Sequence, residues 1–142
     1  MKKTYRSFSS GVSALKDLPL LFFRLILAYG FYQPAMNKLN DFQSIGQWFE
    51  SMNYPLPMVS AYLAGFTEIL GVVLLTLGLG TRIIAIPLMI VMIVAILTVH
   101  AGNGFSAGNN GFEIPLYYLL MLFALMVYGS GRISVDAIIG KR

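Results

Sequence analysis

The sequence contains no cysteine among its 142 residues. The chain therefore cannot form a disulfide, hold an iron–sulfur cluster through thiolates, or attach haem through cysteine. It also has a single histidine, His100, so one chain cannot supply two histidine ligands to a haem. Any electron that this protein handles must reside on a quinone or on a partner protein, and we expect no covalently bound cofactor.

Charged residues are also scarce, at 11% of the chain, whereas 57% of residues are hydrophobic. Several apolar segments approach or exceed the ~18 residues that mark a membrane-spanning helix. The length leaves room for about four spans of ~20 residues and no separate soluble domain. The net charge of +4 does not indicate nucleic-acid binding, because basic residues in a membrane protein first report its orientation.

The fold that we predict is all-α, a transmembrane four-helix bundle with a short interfacial helix between the first and second spans, in one domain over residues 1–142. The spans cover about residues 18–36, 57–79, 83–100 and 114–128, and the interfacial helix lies within residues 39–52. Residues 1–16 and 129–142 are predicted to be cytoplasmic tails. A cleaved signal peptide is the alternative at the N-terminal end, but the apolar segment is too long for a signal core.

The basic residues outside the spans are distributed unequally between the two predicted sides. Lys38 is alone on one side, and the other side carries eight: Lys2, Lys3, Arg6, Lys16, Arg82, Arg132, Lys141 and Arg142. Because positive residues are retained on the inner side, this bias places both termini in the cytoplasm. We expect the cytoplasmic (inner) membrane of a bacterium or archaeon.

Two charged residues lie within the predicted spans. Arg24 is about 9 Å and Glu68 about 16 Å from the cytoplasmic edge, at ~1.5 Å per residue. A charge at the centre of a helix costs roughly 2.5–3.5 kcal/mol, so each should face the bundle interior. We predict that they pair, either as a proton-accepting or ligand-polarising site or as an ion pair that fixes the register of the helices.

A Gly- and Asn-rich loop follows the third span and ends at the fourth. Its two ends place His100, Asn103, Glu113 and Tyr117 at one membrane depth, where they could form a small polar site. The alternative is that Asn109 or Asn110 caps the fourth helix while Glu113 interacts with its dipole. We predict no metal site, because zinc needs three or four good ligands and this face offers one histidine.

The chain resembles the DoxX family of small four-helix membrane proteins from about Leu21 to Ile139. One departure is Ala35, where the family pattern has glycine, beside Pro34. The resemblance rests on Arg24, "NKL" with Lys38, "TEILG" with Glu68, "LGLGTR", His100 followed by "NGF", "GFE" at 111–113, and "GSGRISVD" at 129–136 with Arg132 and Asp136.

What the resemblance implies is a membrane subunit of a redox complex, linked to quinone and to sulfur or oxidative stress, and not catalytic alone. Partner subunits or a homo-oligomer are then expected. Arg132 and Asp136 have a simpler interpretation as cytoplasmic anchors and caps. Two alternative functions remain, a non-catalytic scaffold that recruits partners and a small proton-coupled transporter, although four helices leave little room for alternating access.

Overall fold

The structure is a computed structural model that describes the backbone of residues 2–140 and the side chains of residues 8–140. Within residues 2–140 the secondary structure is entirely helical, which confirms the all-α prediction. The seven α-helices are α1 (Lys2–Ala14), α2 (Asp17–Asn40), α3 (Phe42–Ser51), α4 (Pro57–Leu77), α5 (Thr81–Ala95), α6 (Glu113–Tyr128) and α7 (Val135–Ile139). A π-helical turn at Ile96–His100 and a 3-10 turn at Ala101–Asn103 continue α5.

The four long helices surround a common core. Helix α2 packs against α4 and α6, and α5 packs against the same two helices. The core between them is apolar and consists mainly of Leu27, Phe31, Leu75, Ile84, Ala85, Leu88, Leu122 and Leu125. Each helix therefore has one face toward the core and one face toward the surroundings.

The outer faces of these helices are also apolar. Leu63 is 65% exposed and Ile83 is 76% exposed, and large hydrophobic side chains stay exposed on every long helix. Two helical segments, Pro57–Leu77 and Thr81–Asn103, are long and apolar enough to cross a membrane, and Glu113–Tyr128 is a shorter apolar helix. Exposed apolar surfaces of this extent are typical of faces that contact a membrane or another protein.

Helix bounds follow local sequence signals. Pro57 begins α4 in its first turn, where its missing N–H is not needed, and Gly78 ends α4 at a φ of 69°. Pro34 lies inside α2 without ending it, so α2 continues to Asn40 and the separate helix α3 begins only at Phe42. The Asp41 side chain caps α3 by accepting from the Ser44 N–H at 3.0 Å.

Both predicted tails contain helix. Residues 2–14 form α1 and residues 135–139 form α7, whereas the sequence indicated only polar tails. Several basic residues that were used to predict orientation have no described side chain. The side chains of Lys2, Lys3 and Arg6, and all of Lys141 and Arg142, lie outside the described residues.

Candidate functional site

A buried ion pair joins α2 to α4. The Lys38 ammonium donates to both oxygens of the Glu68 carboxylate, at 3.1 Å to Oε1 and 2.9 Å to Oε2. The Lys38 side chain is 14% exposed and that of Glu68 is 3% exposed. The predicted direct pair of Arg24 with Glu68 is therefore wrong, because Glu68 pairs with Lys38.

The direction of side chains on helices explains the correction. The Cα–Cβ bonds of a helix lean toward its own N-terminus. Lys38, near the end of α2, therefore leans back into the bundle, and Glu68 on the antiparallel α4 leans toward Lys38. Arg24 leans the opposite way from Glu68, and it lies about 21 Å from Lys38 along α2 at ~1.5 Å per residue.

The Arg24 guanidinium instead turns to the other end of the bundle. Its Nη2 donates to the Ile133 carbonyl at 2.7 Å, and the residue is 1% exposed. A Cβ on Gly78 would lie 1.6 Å from Arg24 Nη1, so only glycine leaves room for this guanidinium. Among the described residues, Arg24 Nε and Nη1 have no hydrogen-bond partner. Arg24 is thus part of the packing at the ends of α4 and α6.

Next to the Lys38–Glu68 pair lies a cavity of about 850 Å³. We call it the outer cavity. Its wall is mostly apolar, with the ion pair in one part of it and His100 in another. The polar and aromatic side chains that also line it include Trp48, Tyr54, Ser60, Thr67, Thr98 and Tyr118. Ligand sites of small apolar molecules have volumes of roughly 300–1,000 Å³ and this kind of wall.

Helix α3 and the chain after it cover one side of the outer cavity. The ring of Phe42 packs at a tilt against Tyr62 of α4 with ring centroids 4.3 Å apart, and Phe49 stacks on Tyr54 at 4.6 Å. The Tyr54 hydroxyl hydrogen-bonds to that of Thr98, at the π-helical turn. Aromatic packing and this bond hold the covering segment against both α4 and the end of α5.

Two residues of α2 that line the same cavity leave one helical carbonyl without its usual hydrogen-bond donor. Pro34 has no N–H, so the Gly30 carbonyl loses its usual helical donor. Both residues line the outer cavity, as does Tyr118. A Cβ on Gly30 would lie 1.9 Å from the Tyr118 hydroxyl oxygen, so glycine allows α6 to bring this phenol close to the α2 backbone.

His100 is at the end of the π-helical turn, where such irregular turns often mark functional positions. Its Nδ1 lies 2.9 Å from the Asn110 carbonyl, which can only accept, so Nδ1 carries the proton. The Asn103 side chain donates to the same carbonyl at 3.2 Å. Because Nδ1 is occupied, Nε2 is the ring nitrogen left to accept a proton or a hydrogen bond.

The other two residues of the predicted mouth site form a separate group. Tyr117 donates to Glu113 Oε1 at 3.1 Å, and the Ala107 N–H donates to Glu113 Oε2 at 2.9 Å. His100 and Asn103 therefore form one group through the Asn110 carbonyl, and Glu113 and Tyr117 form a second group. No direct bond between the two groups is found in the described part of the chain. Neither Asn109 nor Asn110 caps α6, because Phe112 is at the N-cap and makes no side-chain bond there.

The loop itself is folded back on its own backbone. The Phe112 N–H donates to the Gly104 carbonyl and the Glu113 N–H to that of Phe105, both at 3.0 Å. A Cβ on Gly111 would lie 2.3 Å from the Gly104 carbonyl oxygen. The "NGF" and "GFE" motifs thus pair with each other, which places His100 and Asn110 at the outer cavity. No group of three metal-binding side chains occurs among the described residues.

Comparison with known proteins decides the family. The DoxX family model matches residues 19–101, more than half of the chain. The chain belongs to the DoxX family. Members are membrane-associated, in keeping with the apolar helices of this chain.

Three relatives extend the match beyond the region of the family model. An uncharacterized protein of Haemophilus influenzae is 30% identical over 96% of this DoxX chain and 89% of its own length, and another from the same organism is 33% identical over 82% and 87%. A Bacillus subtilis protein named "Putative oxidoreductase CatD" is 31% identical over 88% of this chain and 90% of its own. No solved structure matches the chain.

The C-terminal motif of this DoxX protein, residues 129–136, contacts the end of the bundle opposite Lys38. The Asp136 carboxylate accepts from the Gly80 N–H at 2.8 Å and from the Thr81 N–H at 3.3 Å, and so caps α5. Arg132 pairs with Asp17 at the start of α2, with 3.3 Å between Nε and Oδ2. Asp136 is therefore a cap, whereas the role of Arg132 as a cytoplasmic anchor stays a prediction.

Sequence reasoning named Lys38 but missed its partner, and it missed the aromatic wall of the outer cavity. Trp48 and Tyr54 both line the cavity, and neither was predicted from the sequence as a site residue. One signal was available. Pro34, Pro87 and Pro115, each inside a predicted apolar span, all line this cavity.

Proposed function

We propose that this DoxX protein is the membrane subunit of a quinone-linked redox complex and that the outer cavity binds the quinone ring. In this proposal α2, α4, α5 and α6 cross the cytoplasmic membrane of a bacterium or archaeon, with α3 in the outer interface. Both termini are then cytoplasmic. The observation that carries the proposal is an apolar cavity of about 850 Å³ with the Lys38–Glu68 pair in its wall.

The distribution of apolar and charged side chains supports the four crossings. Large apolar side chains are exposed along all four helices, as a lipid-facing surface requires. Lys16, Arg82 and Arg132 line a common cavity at one end of the bundle, and Lys38 lies near the other. By the positive-inside tendency, the end with three basic residues is the cytoplasmic one.

The outer cavity suits a flat, largely apolar ring with polar oxygens. An ammonium group has three N–H donors, and Lys38 gives two to Glu68, so one donor remains for a carbonyl oxygen. Trp48 and Phe49 supply aromatic surface in the same wall. Exposed neighbours such as Leu63 and Ile90 give the cavity an apolar border through which a hydrocarbon tail can extend.

A bound quinone would supply two-electron chemistry that requires two protons. In this chain Glu68, held by Lys38, is placed to hold a proton beside the ring, and His100 offers Nε2 in another part of the same wall. The low polarity of the cavity strengthens each of these interactions. The chain's own contribution is thus to bind the ring, orient it and hold protons.

The electrons must come from a partner protein, because the sequence offers no thiolate or bis-histidine site for a carrier of its own. One relative is named as an oxidoreductase, which supports the link to redox chemistry. A partner subunit is therefore part of the proposal, and a homo-oligomer without one would oppose it.

Trp48 provides a direct test, because it is the only tryptophan in the chain and lines the cavity. Quinones quench indole fluorescence at short range. The full chain in detergent or nanodiscs should show saturable quenching by a short-chain naphthoquinone or benzoquinone. Thr67→Phe places a larger side chain in the cavity and should raise the half-saturating quinone concentration at least tenfold.

Thr76→Phe is the matched control, because Thr76 is exposed on the same helix and does not line the cavity. It should quench as the wild type does. Quenching that rises linearly with quinone and is equal in all three proteins would mean simple partition into the lipid. That result would favour the scaffold function, in which the Lys38–Glu68 pair only specifies packing.

A further inference from the structure

A second cavity, of about 1,060 Å³, lies at the opposite end of the bundle from Lys38. We call it the basic cavity. Three cationic side chains line it, Lys16, Arg82 and Arg132, together with the carboxylates of Asp17 and Asp136. The charges come from the start of α2, the start of α5 and the C-terminal motif, so the folded chain assembles them from distant parts of the sequence.

Both carboxylates of the basic cavity already have partners. Asp136 accepts from the N–H groups of Gly80 and Thr81, and Asp17 accepts from the Arg132 backbone N–H and forms an ion pair with the Arg132 side chain. Neither carboxylate forms an ion pair with Lys16 or Arg82 in the described part of the chain. Lys16 and Arg82 therefore have no ion-pair partner among the described residues, and the three cations of the cavity exceed its two carboxylates by one positive charge.

Arg82 is held in place without being neutralised. It lies in the first turn of α5, and a Cβ on Gly129 would approach its Nε to 3.1 Å, so the guanidinium rests against the end of α6. Arg82 is exposed, and no hydrogen bond from its guanidinium is found among the described residues. A guanidinium positioned in this way presents several N–H donors in a plane, the arrangement that suits phosphate oxygens.

The rest of the wall is apolar and continues onto the outer surface. Leu20, Phe23 and Ile83 line the cavity, and Ile83 is 76% exposed. Tyr128, also in the wall, is 71% exposed at the end of α6, where an aromatic belt residue is expected. A ligand of this cavity therefore has an anionic head beside Arg82 and Lys16 and an apolar part along Leu20 and Ile83.

We propose that the basic cavity binds the phosphate group of an anionic phospholipid on the cytoplasmic side. Basic pockets between membrane helices on that side commonly receive anionic headgroups. The proposal relies on the membrane orientation given above but not on quinone binding. Arg82 and Lys16 contact the phosphate, and the acyl chains follow the apolar wall.

The test compares lipid binding by the full-length wild type and by Lys16→Gln/Arg82→Gln. The delipidated protein is titrated with phosphatidylglycerol or with phosphatidylcholine, and bound lipid is counted by native mass spectrometry. The wild type should prefer phosphatidylglycerol at least tenfold. Each removed cation near the membrane surface should reduce affinity about fivefold, so the double variant should lose most of the preference.

Gln47→Glu is the control for net charge, because Gln47 is exposed on α3 and lines neither cavity. It and Arg82→Gln each lower the net charge by one, yet it should keep the wild-type preference. Equal binding of both lipids by the wild type, or an unchanged preference in the double variant, would overturn the proposal.

Two further measurements separate related outcomes. Inorganic phosphate at millimolar concentration should not displace phosphatidylglycerol, and displacement would show a free-phosphate site in place of a lipid site. Quenching of Trp48 by quinone should be unchanged in the double variant. A loss of lipid preference with intact quenching therefore supports this proposal whether or not the quinone proposal holds.

Discussion

The Lys38–Glu68 pair should be strongly coupled in stability. Lys38→Met leaves the Glu68 carboxylate, on a side chain that is 3% exposed, without its two hydrogen bonds of 2.9 and 3.1 Å. Removing one partner of a buried pair typically costs about 3–5 kcal/mol. Glu68→Met leaves the ammonium of Lys38, whose side chain is 14% exposed and nearer the surface, so we expect a smaller loss of about 1.5–3 kcal/mol.

The double variant is the informative member of this set. Replacing both charges with methionine removes the charge and keeps most of the side-chain volume, which is often close to neutral for buried pairs. We expect the double variant to be within about 1–2 kcal/mol of the wild type, which implies a coupling energy of at least about 2.5 kcal/mol. The free energy of unfolding is measured by reversible SDS titration in mixed micelles, followed by far-UV circular dichroism.

Two control cycles make this result specific. Arg24→Met and Glu68→Met should be additive, because Arg24 lies with Ile133 at the other end of the bundle. The Asp17–Arg132 pair should couple by less than about 1 kcal/mol, because the Arg132 side chain is 76% exposed. Additive losses for Lys38→Met and Glu68→Met, with the double variant the least stable protein, would refute the assignment of a buried ion pair.

Three substitutions give further expectations. Gly78→Ala should destabilise the fold by at least about 1 kcal/mol in the same SDS titration, because its φ of 69° disfavours a side chain and the Cβ meets a buried guanidinium. Gly111→Ala should raise proteolysis of the loop, whereas Gly102→Ala, with open space at its Cβ, should not. The hydrogen bonds from Ser44 lower the pKa of Asp41. The stabilising effect of the Asp41 carboxylate is therefore complete above the usual pKa of 3.8 and is lost as pH falls through the lower pKa of the folded state. Melting curves of the wild type should therefore lose more stability below pH 3.8 than those of Asp41→Asn, which has no carboxylate at that position to protonate, and equal losses would contradict this role.

Sequence patterns predicted three of the helices closely because proline or glycine residues that begin or end helices flank their apolar runs. Pro57 and Gly78 mark the ends of α4, and Gly129 marks the end of α6. The sequence ended the first span at residue 36 and began the interfacial helix at residue 39, whereas α2 continues to Asn40 and α3 begins at Phe42. Helix α1 was missed because its serines and glycine do not form a long apolar run.

The candidate site was harder to predict, because it depends on side-chain direction and on contacts between distant segments. Depth along the helix axis made Arg24 and Glu68 look compatible, but that estimate ignored the lean of each side chain. The bond from Arg24 to Ile133 spans 109 positions, and no local pattern indicates it. The cap that Asp136 gives to α5 is of the same kind, because it follows from tertiary folding alone.

The C-terminal motif has a consequence for synthesis of the protein. Arg24 is translated within the first long helix, but its acceptor, Ile133, is translated more than a hundred residues later. Asp17 likewise meets Arg132 only after a separation of 115 positions. While the ribosome is still at work, the nascent first helix therefore holds a guanidinium without its final acceptor. Residues 129–136 supply these partners only after the other three long helices have been translated.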